Sequence, residues 1–442
     1  MGVMKRLKAL LRDTSGNALA IGAAAMPLVI GGAGLAVDTV QLSLAKRELQ
    51  RAADSAALAG AYAINQNPNS TAAARTTFAT NGATRDLQLN NEVATTGTPV
   101  IQNAPSTGAF AGNANAVRVQ LTANRTLSFL SFFDAAPTAV TVEATAAIVR
   151  EGNFCMLALE AGNTEPGITV GGNATIDIGC GMSTNSRAAA AITATGSSSV
   201  KASPIMAVGG VPTGNFGTAT RIPYSAVQAD PFASVPNPSP SNCIAEPTSY
   251  PLELTPQSPG YNSSDGSFCF NGWDVDGAVT FKNFTQPVTI YVNGAGSNKV
   301  NSLNLGSKAH ISGSNVTIVL TSTNATSDPS SIATFNMNSS ADLDITAPTT
   351  GPYAGVAIYE DRRAPLRTIH FNGNSSSTLN GALYFPSARF YMNGTAGMQA
   401  TCIQLVARFL DFSGNGTVGN SCSGGTSGSL NNFTATYVRL VG

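Results

Sequence analysis

The rhythm of hydrophobic and polar positions changes three times along this chain. Residues 14–37 carry no charged side chain, and the run from Asn17 to Val37 is almost wholly apolar or small. A bilayer crossing takes roughly 20 such residues, so the run predicts a transmembrane helix over 17–37. Lys5, Arg6, Lys8 and Arg12 precede it and Asp38 ends it. By the positive-inside rule, 1–16 is a cytoplasmic basic segment and everything after the helix is exported. A cleaved secretory signal is the first alternative, with Ala23-Ala24-Ala25 as its small-residue site, but its apolar region would be much shorter. A buried helix of a soluble core is the second, and it leaves the basic flank unexplained. Pro27 is compatible with a membrane helix, where neighbouring groups satisfy the freed carbonyl.

Past Asp38 the pattern stays helical. From Thr39 to Ile64 no proline and no glycine interrupts before Gly60, and alanine recurs, which favours helix. The reading is a periplasmic helix extension over 38–64. Its small residues, Ala52, Ala56 and Gly60, form a narrow helix-packing face on which another helix can approach closely. Alanine that merely stiffens a rod is the alternative.

From 65 to 150 the pattern predicts a small α/β module. Asn69–Thr84 is polar and Ala-rich, as in a surface helix. Val117–Thr122 and Val140–Val149 alternate apolar with polar residues, the period of half-buried strands. Phe129, Phe132 and Phe133 between them read as core rather than as a membrane or partner patch.

From 151 to 442 short alternating stretches recur between Gly, Asn and Ser turns. Examples are Ile168–Ile178, Ala309–Leu320, Ile369–Leu379 and Phe390–Met398, with turn glycines Gly373, Gly394 and Gly414 about one solenoid coil apart. Each unit buries its apolar side only by stacking on the next. The fold class is therefore mainly β, ending in a parallel β-helix (solenoid)-like domain, with an ordinary β-sandwich as the alternative. Residues 204–270 interrupt the pattern with Pro223, Pro231, Pro236, Pro238 and Pro240, each lacking a backbone donor. This insertion reads as a loop laid across the solenoid face, or else as a linker between two β domains.

Composition narrows the function. Charged residues make up 11% of the chain, 24 basic against 24 acidic, so no clustered positive charge is left to neutralise phosphates and nucleic acid is not an expected partner. All six cysteines, Cys155, Cys180, Cys243, Cys269, Cys402 and Cys422, follow the anchor. Exported cysteines without C-x-x-C spacing predict disulfides rather than a metal site. Pairing neighbour with neighbour is the simplest of the possible connectivities.

No nucleophile elbow, zincin motif or phosphate-binding loop occurs. Asp265-Gly-Ser and Asp328-Pro-Ser-Ser do not complete a metal-dependent adhesion site. Two carboxylate pairs are the candidates for a polysaccharide-cleaving β-helix. Asp274 and Asp276 alternate along a strand and share a face, whereas Glu360 and Asp361, beside Arg362 and Arg363, would point apart. Solvated turns explain both pairs as well. The expectation is no enzyme, no catalytic residue, no cofactor, no metal and no small-molecule substrate.

Two blocks at fixed separation, GLAVD at Gly34–Asp38 and LQRAADSAALAGA at Leu49–Ala61, resemble the N-terminal region of TadG-like proteins of the tight-adherence (Flp) pilus-assembly systems of bacteria. The similarity covers about residues 13–64, with Asp38 and Asp54 as its acidic motif positions. It implies a single-pass protein of the bacterial inner membrane that helps anchor or stabilise a surface pilus. Other Tad pilus-assembly proteins would be its partners, and its exported domain would be periplasmic or surface-exposed. Pilin precursors carry Glu at the fifth position after the processing glycine. Counted from Gly16 that position is Ile21, so processing into a fibre subunit is not expected. A surface adhesin or glycan-binding solenoid is the rival function.

Overall fold

The computed structural model describes residues 15–67, 70–89, 94–133, 136–295, 302–372, 377–393, 397–420 and 433–441. The chain is mostly β, with two α-helices among these residues, and it divides into two compact units: 1–149 with 438–442, and 150–437.

In the first unit a single helix, α1 (Ser15–Asn65), runs for 51 residues without a break, Pro27 included. At 1.5 Å per residue it is about 76 Å long. Its two parts have opposite surroundings. In the first part Ile21, Met26, Leu28, Val29 and Ile30 are all mostly exposed, and the stretch is long and apolar enough to cross a membrane. In the second part Leu49, Ala53, Ala56, Ala57, Ala61 and Ile64 are buried. Thr71 accepts from the Ala74 N–H at 3.4 Å, and α2 (Ala72–Leu89) follows. Strands β1 (Val100–Asn103), β2 (Ala116–Arg125) and β3 (Thr138–Ala158) form an antiparallel sheet in that order.

Alternation along β2 buries Val117, Val119, Leu121 and Ala123. They meet Ala79 and Ala83 of α2, Val142, Ala144 and Ala146 of β3, and the alanine face of α1 in one core. Val438 joins it near the C-terminus. Ala52, Ala56 and Gly60 therefore lie on a face that the chain's own helix and sheet cover, and that face is not open to a partner helix. The reason is steric: a Cβ on Gly60 would sit 2.9 Å from the Ala79 carbonyl oxygen and 3.0 Å from Val117 Cγ1.

In the second unit almost every pairing is parallel, and most strands hydrogen-bond the strand three elements further on, except where long strands merge two rungs and where the chain closes on its own start. Three ladders result. The first runs through 267–271, 288–293, 316–321, 356–360, 382–385, 403–407, 154–158, 181–184 and 205–207. The second runs through 273–275, 302–305, 334–337, 367–371, 389–392, 410–412, 168–170 and 192–194. The third runs through 252–254, 278–281, 310–314, 342–346, 378–380, 397–400, 417–419, 175–177 and 199–201. Ile290, Leu303, Phe335, Ile311 and Leu343, drawn from all three, share one apolar core.

The residue numbers along the first ladder reveal an unexpected path. The chain enters in the middle, at 154–158, and steps outward to 205–207 and 221–222. It reappears at the opposite end at 244–245 and climbs back until 403–407 pairs with 154–158. Eleven rungs at about 4.8 Å spacing put the ends about 48 Å apart, and the intervening residues, fully extended, reach at most about 75 Å. The proline-rich segment is thus a strap along one ladder rather than a linker between domains.

Phe232 and Val235 of the strap pack on Leu157, Val406, Tyr384, Tyr359 and Val319. Trp273, fully buried, stacks at a tilt on Phe270 at 5.2 Å. Disulfides join Cys155 to Cys180 and Cys243 to Cys269, each between neighbouring rungs. Cys422, Gly373 and Gly394 lie outside the described residues, and with Cys422 goes the third expected pair. Gly414 has φ +70°, a turn conformation that suits glycine.

Candidate functional site

Three groups of residues were singled out by sequence, and each has a definite place. Gly34 and Asp38 stand one turn apart on α1 and therefore share a face. Asp38 is buried at 4% exposure although it lies next to the most apolar stretch of the chain. Its carboxylate accepts from the Phe129 N–H at 3.1 Å and from the Leu130 N–H at 2.7 Å. Those donors open the short 3-10 turn Leu130–Phe132, so a helix side chain caps a loop distant in sequence. The Phe129 ring lies against Gly34, where a side chain at that position would overlap it.

Only one of the aromatic trio, Phe129, is explained by this arrangement. Phe129 is half-buried and meets Phe133 edge-on at 5.3 Å. Phe132 and Phe133 are 84% and 76% exposed, so the expectation that they belong to the core is corrected. The turn is anchored through its backbone and Phe129, which leaves the next two rings without a surface of this unit to cover them. Asp54, the second acidic motif position, accepts from the Gln50 amide at 2.8 Å, and the same amide reaches the Glu143 carbonyl at 3.0 Å. It thereby orients a residue that ties α1 to β3.

The carboxylates of the second unit separate sharply. Glu360 and Asp361 are both fully buried, which corrects the alternative of solvated turn residues. Glu360 pairs with Arg367 at 3.0 Å and Asp361 with Arg363 at 2.6 Å. Burial pushes the Glu360 carboxyl up to about 7 in spite of the Arg367 guanidinium beside it. The adjacent arginines hold the strap. Arg362 donates to Tyr384 Oη at 2.7 Å, to the Val235 carbonyl at 2.7 Å and to the Phe232 carbonyl. Arg363 donates to the Pro238 carbonyl at 2.8 Å. The Tyr384 hydroxyl donates to the Asp230 carboxylate at 2.6 Å, and burial raises its phenol well above the usual range. The proline spacing signalled the strap, but nothing in the local sequence linked it to Arg362.

Asp274, in the strand Trp273–Val275, and Asp276, just past its end, are both exposed, so only the first of the expected pair stands on the strand. Asp274 begins an in-register polar row that continues through Asn304, Asn336, His370, Tyr391 and Asp411. The Asn336 amide donates to the Asn304 oxygen at 3.1 Å. His370 meets Tyr391 edge-on at 5.5 Å. A cavity of about 580 Å³ follows this row. The row is chemically suited to hydroxyl-rich ligands, with side-chain amides as paired donors and acceptors and an aromatic edge. Among the described residues no three His, Cys, Asp or Glu side chains converge as metal ligands.

The family model of the putative Flp pilus-assembly TadE/G-like proteins matches residues 16–63. That is α1 almost end to end, with Gly34, Asp38, Asp54 and the alanine face inside the match. No curated protein and no solved structure matches the chain.

Proposed function

With residues 16–63 a TadE/G-like Flp pilus-assembly segment, we propose that this TadG-like protein is a non-enzymatic, membrane-anchored component of a Tad-type pilus assembly system. The observation that carries the reading is the division of α1. Its first part exposes Ile21, Leu28, Val29 and Ile30 at 60% or more, while its second part is the spine of a folded module. Exposed apolar surface of this extent calls for lipid or protein around it. The basic flank at Lys5–Arg12 supports an N-terminus in the cytoplasm, with the chain beyond Asp38 on the far side of the inner membrane. We read the second unit as a three-sided parallel β-helix, supported by the regular three-element offset of its pairings. It serves as an exported contact surface. The non-enzymatic reading is supported by Glu360 and Asp361, whose burial against Arg367 and Arg363 accounts for them structurally.

A second reading has an observation of its own. The Asn304–Asn336–His370–Tyr391 row beside its cavity fits a glycan-binding adhesin carried by the same system. Deleting the chain in its own bacterium and counting surface pili by electron microscopy, alongside surface attachment, separates the two. Loss of pili is the expected result. Normal pili with lost attachment would assign the adhesin, and unchanged pili with unchanged attachment would sink both readings.

A further inference from the structure

We propose that the loop Leu127–Phe133 is a membrane-interface foot: Phe132 and Phe133 enter the lipid boundary on the exported side, beside the point where α1 leaves the bilayer. The inference rests on the reading that α1 spans the membrane, and adds a second lipid contact to it.

Four observations meet at this place. Phe132 and Phe133 are 84% and 76% exposed, and Leu130 beside them is 36% exposed. No other pair of adjacent exposed rings occurs among the described residues of this unit, whose other exposed large apolar side chains beyond Asp38 (Val40, Leu44, Leu89, Val100 and Leu440) are aliphatic. The loop is not free to fold them away. The Asp38 carboxylate holds the amides of Phe129 and Leu130 at 3.1 and 2.7 Å. Phe129 fills the notch at Gly34, and Leu127 is buried at 5%.

The attachment point on α1 is also the end of the uncharged run, since Asp38 is the first charge after Asp13. Counting back from Asp38 the roughly 20 residues that cross the hydrocarbon reaches the start of the apolar run near Asn17. The loop is thus clamped at the level where hydrocarbon gives way to headgroups. Phenylalanine on an apolar interfacial face is buried shallowly at that level, at the boundary of headgroups and acyl chains. The Asp38 carboxylate tolerates the same level because two amide donors satisfy it. A partner protein on the two rings is the competing occupant, and only lipid follows from their height on the helix.

The test uses the full chain in phosphatidylcholine vesicles, with lipids brominated either near the glycerol end or near the methyl end of the acyl chains. Trp273 is the only native tryptophan and is fully buried, so the unmodified protein supplies an unquenched baseline. Phe132→Trp, and separately Phe133→Trp, should show blue-shifted emission and lose most of the added fluorescence to the shallow-brominated lipid, but little to the deep one. Leu28→Trp, at the middle of the run and 79% exposed, should be quenched chiefly by the deep-brominated lipid. Quenching of Leu28→Trp with none at positions 132 and 133 would overturn the foot while leaving the spanning helix in place. Absence of quenching at all three positions would overturn the spanning helix and the foot together.

Discussion

At the scale of residues, Asp38 links two parts of the first unit that local sequence does not connect. Its value lies in accepting two amide donors at the start of a turn, the role of a helix N-cap transferred from another element. Asp38→Ala should cost about 1–2 kcal/mol locally, set by the lost cap and the two amides left without an acceptor. Alanine's better helix propensity returns only a few tenths of that. The measurement is amide hydrogen exchange of Phe129 and Leu130 in micelles, expected to quicken about tenfold, since 1.4 kcal/mol is a factor of ten. Asp38→Asn, which keeps one acceptor, should show a smaller change. Unaltered exchange in the alanine variant would mean that Phe129 on Gly34 alone holds the loop. The aspartate and the glycine were visible in the sequence as a motif. Their purpose was not, because the partner lies 91 residues away.

At the scale of elements, the crossing of α1 and α2 depends on reciprocal glycines. A Cβ at Gly60 would meet the Ala79 carbonyl at 2.9 Å, and one at Gly82 would meet the Ala59 carbonyl at 2.8 Å. Backbone oxygen cannot move aside as a flexible side chain can, so the helices must separate to admit a side chain. Gly60→Val should lower stability by about 1–3 kcal/mol, the usual penalty of overpacking, read as an earlier thermal transition of the helical circular dichroism signal. Gly32→Ala, where no atom lies within 4 Å, should leave the transition in place. An unchanged melt for Gly60→Val would show that the crossing is looser than drawn. The small-residue stripe was legible from composition alone. What it packs against was not, since close-packing surfaces for a foreign helix and for the chain's own helix have the same sequence signature.

At the scale of the whole molecule, the second unit is built from the middle outward and needs its strap to connect two ends. The strap carries few ladder hydrogen bonds because its prolines lack donors. Arg362, Arg363 and the Phe232–Val235 contacts hold it instead. Arg362→Ala removes three hydrogen bonds from a charged donor, each worth about 1.5–3 kcal/mol. Limited proteolysis should then cut between residues 226 and 240 at least about tenfold faster, through local opening. Lys282→Ala breaks only a pair with both side chains at least half exposed and should leave the rate unchanged. Equal cleavage of the Arg362→Ala and unmodified proteins would show that apolar packing alone retains the strap.

The properties that sequence by itself determined are those set by neighbours along the chain. They include the uncharged span, its helical continuation, the strand-and-turn rhythm, the proline-rich interruption and the cysteines that pair across adjacent rungs. Each depends on local propensity or on the period of burial, and both are written into consecutive residues. Tertiary structure alone decided which surface covers the alanine face, why Asp38 is buried, where Phe132 and Phe133 are left, and which way the ladders are threaded. Those outcomes rest on contacts between residues tens to hundreds of positions apart. Many partners of similar chemistry compete for such contacts, and only the packed chain selects among them.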